Sequence, residues 1–171
     1  MRKSVLATSI VASAALLVLA AAPAFADTPT TFALVGGTLA ISAPTASVSL
    51  GTSAPMVTAQ VISGALGAVT VTDNRGGILG WVASVGSTAF TGPATVVPAT
   101  ALTYIPSLAT TTGVALVAAT TAIDLTAPKT VQTATTVVGA NTAVWNPTLT
   151  VAVPAGAQAG LYAATVTHSI L

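Results

Sequence analysis

From Trp145 to Val153 the chain alternates without a break. Trp145, Pro147, Leu149, Val151 and Val153 fall on one face, and Asn146, Thr148, Thr150 and Ala152 on the other. Tyr162, Ala164, Val166, His168 and Ile170 stand in the same way against Ala163, Thr165, Thr167 and Ser169. A period of two with one apolar face suits a half-buried antiparallel strand. Past residue 26 no stretch shows apolar residues at helical spacing. With 14 Gly and 10 Pro among 171 residues, turn signals recur at short intervals. The expectation is an all-β chain, an antiparallel β-sandwich of about ten short strands. The candidate runs are Thr31–Val35, Thr38–Ser42, Ala46–Leu50, Gln60–Leu66, Val69–Thr72, Trp81–Ser87, Leu102–Ile105, Val114–Thr120, Thr130–Val138, Thr148–Val153 and Gly160–Ile170.

The first 26 residues read differently. Arg2 and Lys3 precede an apolar run from Val5 to Ala22, Pro23 breaks it, and Ala24-Phe25-Ala26 is a small-x-small cleavage site. The pattern is that of a helical signal peptide cut after Ala26, leaving a single domain over residues 27–171 and no integral membrane anchor. The expected location is secreted and extracellular. Cysteine is absent. The fold must hold by packing, and a lipid anchor on an N-terminal cysteine is excluded.

After cleavage two cations, Arg75 and Lys129, face Asp27, Asp73 and Asp124, a net charge of −1 with His168 neutral. This is no nucleic-acid surface. The expected surface is neutral and rich in Thr, Ser, Ala and Gly. Catalysis has little to work with. A nucleophile–base–orienter set needs more than one His beside a Ser on the opposite strand face. Glycosidase chemistry needs two carboxylates about 5–10 Å apart, from a chain with three. Clusters with metal-ligand spacing are missing. A non-catalytic protein without a cofactor is expected.

The residues that carry any chemistry are few. Asp73-Asn74-Arg75-Gly76-Gly77 is a turn by composition. Its Asp73 and Arg75 can pair as an exposed ion pair, or Arg75 can lie over Trp81. Trp81 shares a strand face with Ala83 and Val85 and reads first as a core residue, with stacking on a ligand as the alternative. Trp145 follows Gly139-Ala140-Asn141, read as a turn, and so is expected half exposed at the end of the sandwich, the better ligand candidate. His168 reads as a partly buried structural ring, with ligand contact as the alternative. Trp145, Arg75, Asp73, Trp81 and His168 are therefore the candidate binding residues.

The run from Thr70 to Val85, with that from Leu149 to Ile170, resembles the WxL domain family of Gram-positive bacterial surface proteins. The matching residues are Asp73, Arg75-Gly76, Gly80-Trp81, Val153-Pro154-Ala155-Gly156, Ala159-Gly160 and Tyr162. They frame residues 69–171. The sequence departs from the family pattern at Ala83, where the family has Leu, and at His168, where it has Trp. The resemblance implies an exported β-sandwich that attaches non-covalently to the cell wall through peptidoglycan. The alternative is a structural surface protein that joins other surface proteins through strand edges.

Overall fold

The computed structural model describes residues 28–171. The expected signal peptide and its cleavage site lie outside these residues. Residues 28–34 form no regular structure and are exposed, so the first expected strand, Thr31–Val35, does not form. The rest is nearly all β, as the alternation predicts. The described residues form twelve strands: β1 (Leu39–Ser42), β2 (Gln60–Ala65), β3 (Val69–Asp73), β4 (Trp81–Ser87), β5 (Phe90–Thr91), β6 (Val96–Val97), β7 (Leu102–Ile105), β8 (Thr110–Ala119), β9 (Ala122–Ile123), β10 (Lys129–Trp145), β11 (Thr148–Val153) and β12 (Val166–Ile170). Every strand pairing is antiparallel.

Two sheets make the sandwich. One holds β1, β3, β10, β4 and β12, with β8 on β10; the other runs β2-β11-β7-β9. A small hairpin, β5-β6, stands beside them. The core lies between the sheets. Trp81, Trp145, Tyr104, Leu102, Leu125 and Leu149 are all but fully buried there, with Val69, Val71, Val85, Val131 and Val151. Burying each such aliphatic side chain contributes roughly 1.5–3 kcal/mol.

The 17-residue strand β10 organises the larger sheet. Its second half pairs with β3, from Asn141↔Asp73 to Trp145↔Val69. Its first half pairs with β4, from Lys129↔Val85 to Ala134↔Trp81. β3 and β4 run in the same direction, so they lie end to end along β10, while β8 pairs with both halves. Residues 74–80 are therefore a bulged excursion between two collinear strands and not a hairpin turn. Gly139 is not a strand end either. It sits inside β10 at φ 72°, beside Thr136 at φ 53°, where the register with β8 shifts. A bulge of this kind absorbs extra residues while pairing continues on both sides.

The alternation from Trp145 to Val153 holds in burial: Trp145, Pro147, Leu149, Val151 and Val153 are all buried. It spans two elements, however. Trp145 ends β10 in one sheet and Thr148 opens β11 in the other. The chain crosses the sandwich between them and keeps its inward face.

Candidate functional site

The five candidate residues sort into two networks. The first closes the excursion between β3 and β4. The Arg75 guanidinium grips Asp73 with two parallel bonds, Nε to Oδ1 and Nη2 to Oδ2, each 2.9 Å. The same Nη2 donates to the carbonyls of Leu79 (3.3 Å) and Gly80 (3.0 Å). One side chain thus ties the start of the excursion to its end. Gly80 enters β4 so close to β10 that a Cβ there would stand 2.3 Å from the Ala134 carbonyl oxygen. Gly36 and Gly37 pack against the outer side: Gly37 N–H donates to the Asn74 carbonyl at 2.6 Å.

Asp73 is not half of an exposed pair. It is buried, and so are Asn141 and Trp81 beside it. The Trp81 indole N–H donates to Asn141 Oδ1 at 3.2 Å, and Asn141 Nδ2 reaches Asp73 Oδ2 at 3.5 Å. The bonds from Arg75 hold the Asp73 carboxyl below its ordinary range, against the opposing effect of burial. Trp81 is a core anchor, as its strand face predicts, and Arg75 does not cap its ring.

The second network joins Trp145, Tyr104 and His168. Trp145 is 1% exposed, not half exposed. Its place at a strand end does not open it to solvent, because the chain turns there into the second sheet. Its indole N–H donates to Tyr104 Oη at 3.0 Å, and Tyr104 Oη lies 3.0 Å from His168 Nε2. The Tyr104 and His168 rings meet edge to face, centroids 5.6 Å apart.

These bonds set the proton positions. An indole N–H only donates, so the buried phenol oxygen accepts from Trp145 and must place its own proton elsewhere. The available acceptor is His168 Nε2. The neutral imidazole therefore carries its proton on Nδ1. Burial lowers the His168 pKa from 6.5, which favours that neutral form. Burial raises the Tyr104 phenol to about 12, against the opposing bond from Trp145.

His168 also lines a cleft of about 790 Å³. Its floor is the inner face of β11, Leu149, Val151 and Val153, with Ile62 of β2. One wall is the segment from Ala43 to Ser53, the expected strand Ala46–Leu50, which forms no strand here. Gly64 lets that wall lie close: a Cβ on it would come within 2.6 Å of Leu50 Cα. The other wall is the C-terminal approach to β12, where Gly160–Ala164 adds no strand to Val166–Ile170. Among the described residues no Asp, Glu, Lys or Arg lines the cleft.

Of the five candidates, only His168 reaches this cleft. Asp73 and Arg75 spend their polar groups on each other and on the excursion, Trp81 spends its N–H on Asn141, and Trp145 spends its own on Tyr104. Three contributors were not singled out from sequence. Asn141 lay in a presumed turn. Tyr104 falls within the expected strand Leu102–Ile105 and carries no motif of its own. Within the 43–53 wall, Ala46–Leu50 reads as a strand. Only the serine and threonine content of that wall was a signal. Among the described residues no group of three His, Cys, Asp or Glu is placed to hold a metal ion. Comparison of the chain with family models, curated proteins and solved structures finds no match.

Proposed function

We propose that this protein is an exported, non-catalytic cell-surface module that associates non-covalently with the bacterial cell wall, and that the cleft is its contact. The observation that carries the reading is the cleft itself. It has the volume of a ligand site, an apolar floor and a hydroxyl-bearing wall, and among the described residues no Asp, Glu, Lys or Arg lines it. The export pattern at residues 1–26 and the WxL resemblance over residues 69–171 support the wall as the target. Purified walls should retain the protein cut after Ala26, and Ser47→Trp, which fills the cleft from its exposed wall, should release it. Failure of the wild type to sediment with walls overturns the reading.

A second reading, a surface protein assembling through strand edges, rests on β8. It pairs only with β10 among the described strands, spans ten residues without a charge, and exposes Val114 and Leu116. An uncharged free edge of that length is a template for strand addition. Light scattering across a concentration series tests it, and a strict monomer removes it.

A further inference from the structure

One segment of the chain and one opening in its sandwich match each other. The segment is residues 31–35, which has strand composition and forms no strand. At a period of two Phe32 and Leu34 share a face, and they are 93% and 94% exposed. The tail that carries them leaves the sandwich at a fixed point, since the Asn74 carbonyl holds the Gly37 N–H. Residues 28–36 include no charge, and Pro29 bounds the apolar run.

The opening is the cleft. Residues of β2 and β12 line it, and these are edge strands of the two sheets: among the described strands β2 pairs only with β11 and β12 only with β4. Leu171 and Val82 exchange both of their backbone hydrogen bonds. By the alternation of an antiparallel ladder, Ser169 and Thr167 also face β4. The N–H and C=O groups of Val166, His168 and Ile170 therefore point the other way, along an edge with no partner among the described residues. A strand laid on this edge pairs those groups and turns every second side chain toward the apolar floor of Leu149, Val151 and Val153. The lengths agree: β12 and the segment are five residues each, about 17 Å of strand. So do the charges. Neither residues 28–36 nor the described lining of the cleft carries Asp, Glu, Lys or Arg, so docking strips no charge of water. Phe32 and Leu34 are left exposed in their own chain, so the cleft that takes them belongs to another.

We propose that residues 31–35 of one copy add as a strand to β12 of a second copy, with Phe32 and Leu34 seated in its cleft. The contact joins two different surfaces, so each copy gives one strand and receives one, and the assembly grows head to tail. This goes beyond wall association and does not rest on it. A seated strand excludes another ligand, so the two compete for one cleft.

The test uses the protein cut after Ala26 in two variants. Phe32→Asp with Leu34→Asp spoils the donor strand and leaves the cleft intact. Ser47→Trp fills the cleft and leaves the donor intact. In sedimentation velocity across a concentration series, the wild type should form dimers and longer chains. Each variant alone should stay monomeric, and an equimolar mixture of the two should give a dimer and nothing longer. Phe32→Asp alone should weaken association by about tenfold or more. A peptide of residues 28–37, added to the donor-spoiled variant, should shift the amide NMR signals of Val166–Ile170 and of the 43–53 wall; this arm decides the matter if Ser47→Trp does not fold. A wild type that is monomeric at every concentration overturns the proposal. So does a mixture of folded variants that fails to pair, or a peptide that shifts neither region. Oligomers that survive Phe32→Asp with Leu34→Asp also overturn it, and point to the β8 edge instead.

Discussion

Replacing Tyr104 by Phe removes a single oxygen atom from the middle of the sandwich. The ring stays, so the apolar packing of Tyr104 against the core is unchanged. What goes is the acceptor of the Trp145 indole and the donor to His168. Trp145 is 1% exposed and its N–H has no other hydrogen-bond partner among the described residues, so it is left buried and unpaired, at about 1–3 kcal/mol. His168 is half buried, and water replaces part of its lost bond, adding about 0–1 kcal/mol. The sum is about 1–4 kcal/mol, or a fall of roughly 2–16 °C in Tm for a domain of this size. Urea unfolding followed by tryptophan fluorescence reads it, since both indoles are buried. Tyr162→Phe is the control. Its hydroxyl serves one exposed carbonyl, and its loss should stay within about 0.5 kcal/mol. The chain has one histidine, so its imidazole nitrogens can be read by NMR without assignment. The wild type should show the Nδ1–H tautomer, and Tyr104→Phe should lose that preference. A Tyr104→Phe variant as stable as the control, or a wild type in the Nε2–H form, would refute the relay.

Asp73→Asn breaks the two-pronged grip of Arg75 beside Asn141 and should cost roughly 1–3 kcal/mol, by the same urea assay. Thr136 is β-branched, exposed and held at φ 53°, so Thr136→Asn should raise stability by roughly 0.5–1 kcal/mol; a destabilised variant would mean the strain is absent. Acid should weaken the fold in two stages. His168 has its folded pKa below 6.5, so its contribution is complete above 6.5 and lost as pH falls through the folded value. Asp73, lowered from 3.8, contributes fully above 3.8 and is lost below that in the same way. In base the sign reverses: the raised Tyr104 contributes fully below 10 and is lost as pH rises through about 12. In Tyr162→Phe, where Tyr104 is the one tyrosine left, phenolate absorbance should appear near 12; a midpoint near 10 contradicts its burial.

The strand faces were legible because alternation is local. Trp81, Ala83 and Val85 point inward together, and Trp145 to Val153 keeps its buried face through a change of sheet. What alternation does not carry is a partner. Ala46–Leu50 has strand composition, yet it lies as a wall against Gly64 and forms no ladder. Gly139-Ala140-Asn141 has turn composition, yet β8 and β3 flank it and the strand continues through a bulge. The two polar networks were illegible for the same reason. Asp73 meets Asn141, and Tyr104 meets both Trp145 and His168, across separations of 41 to 68 residues. Composition named the scarce residues but not the pairs among them.

The position of β10 in the chain has a consequence for timing. It begins at Lys129, and β3, β4 and β8 all wait for it as their neighbour. Before residues 129–145 are available, the longest ladders of the larger sheet have no template. The smaller sheet is in the same position, because β2 and β7 meet only through β11, which follows still later. Such non-local pairing folds slowly, in milliseconds to seconds rather than microseconds. A growing chain of this kind stays open until nearly all of it has been made. A polypeptide that must pass through a narrow channel as a thread gains from that delay, since in its first two-thirds only the short ladders β1-β3 and β5-β6 have both of their strands.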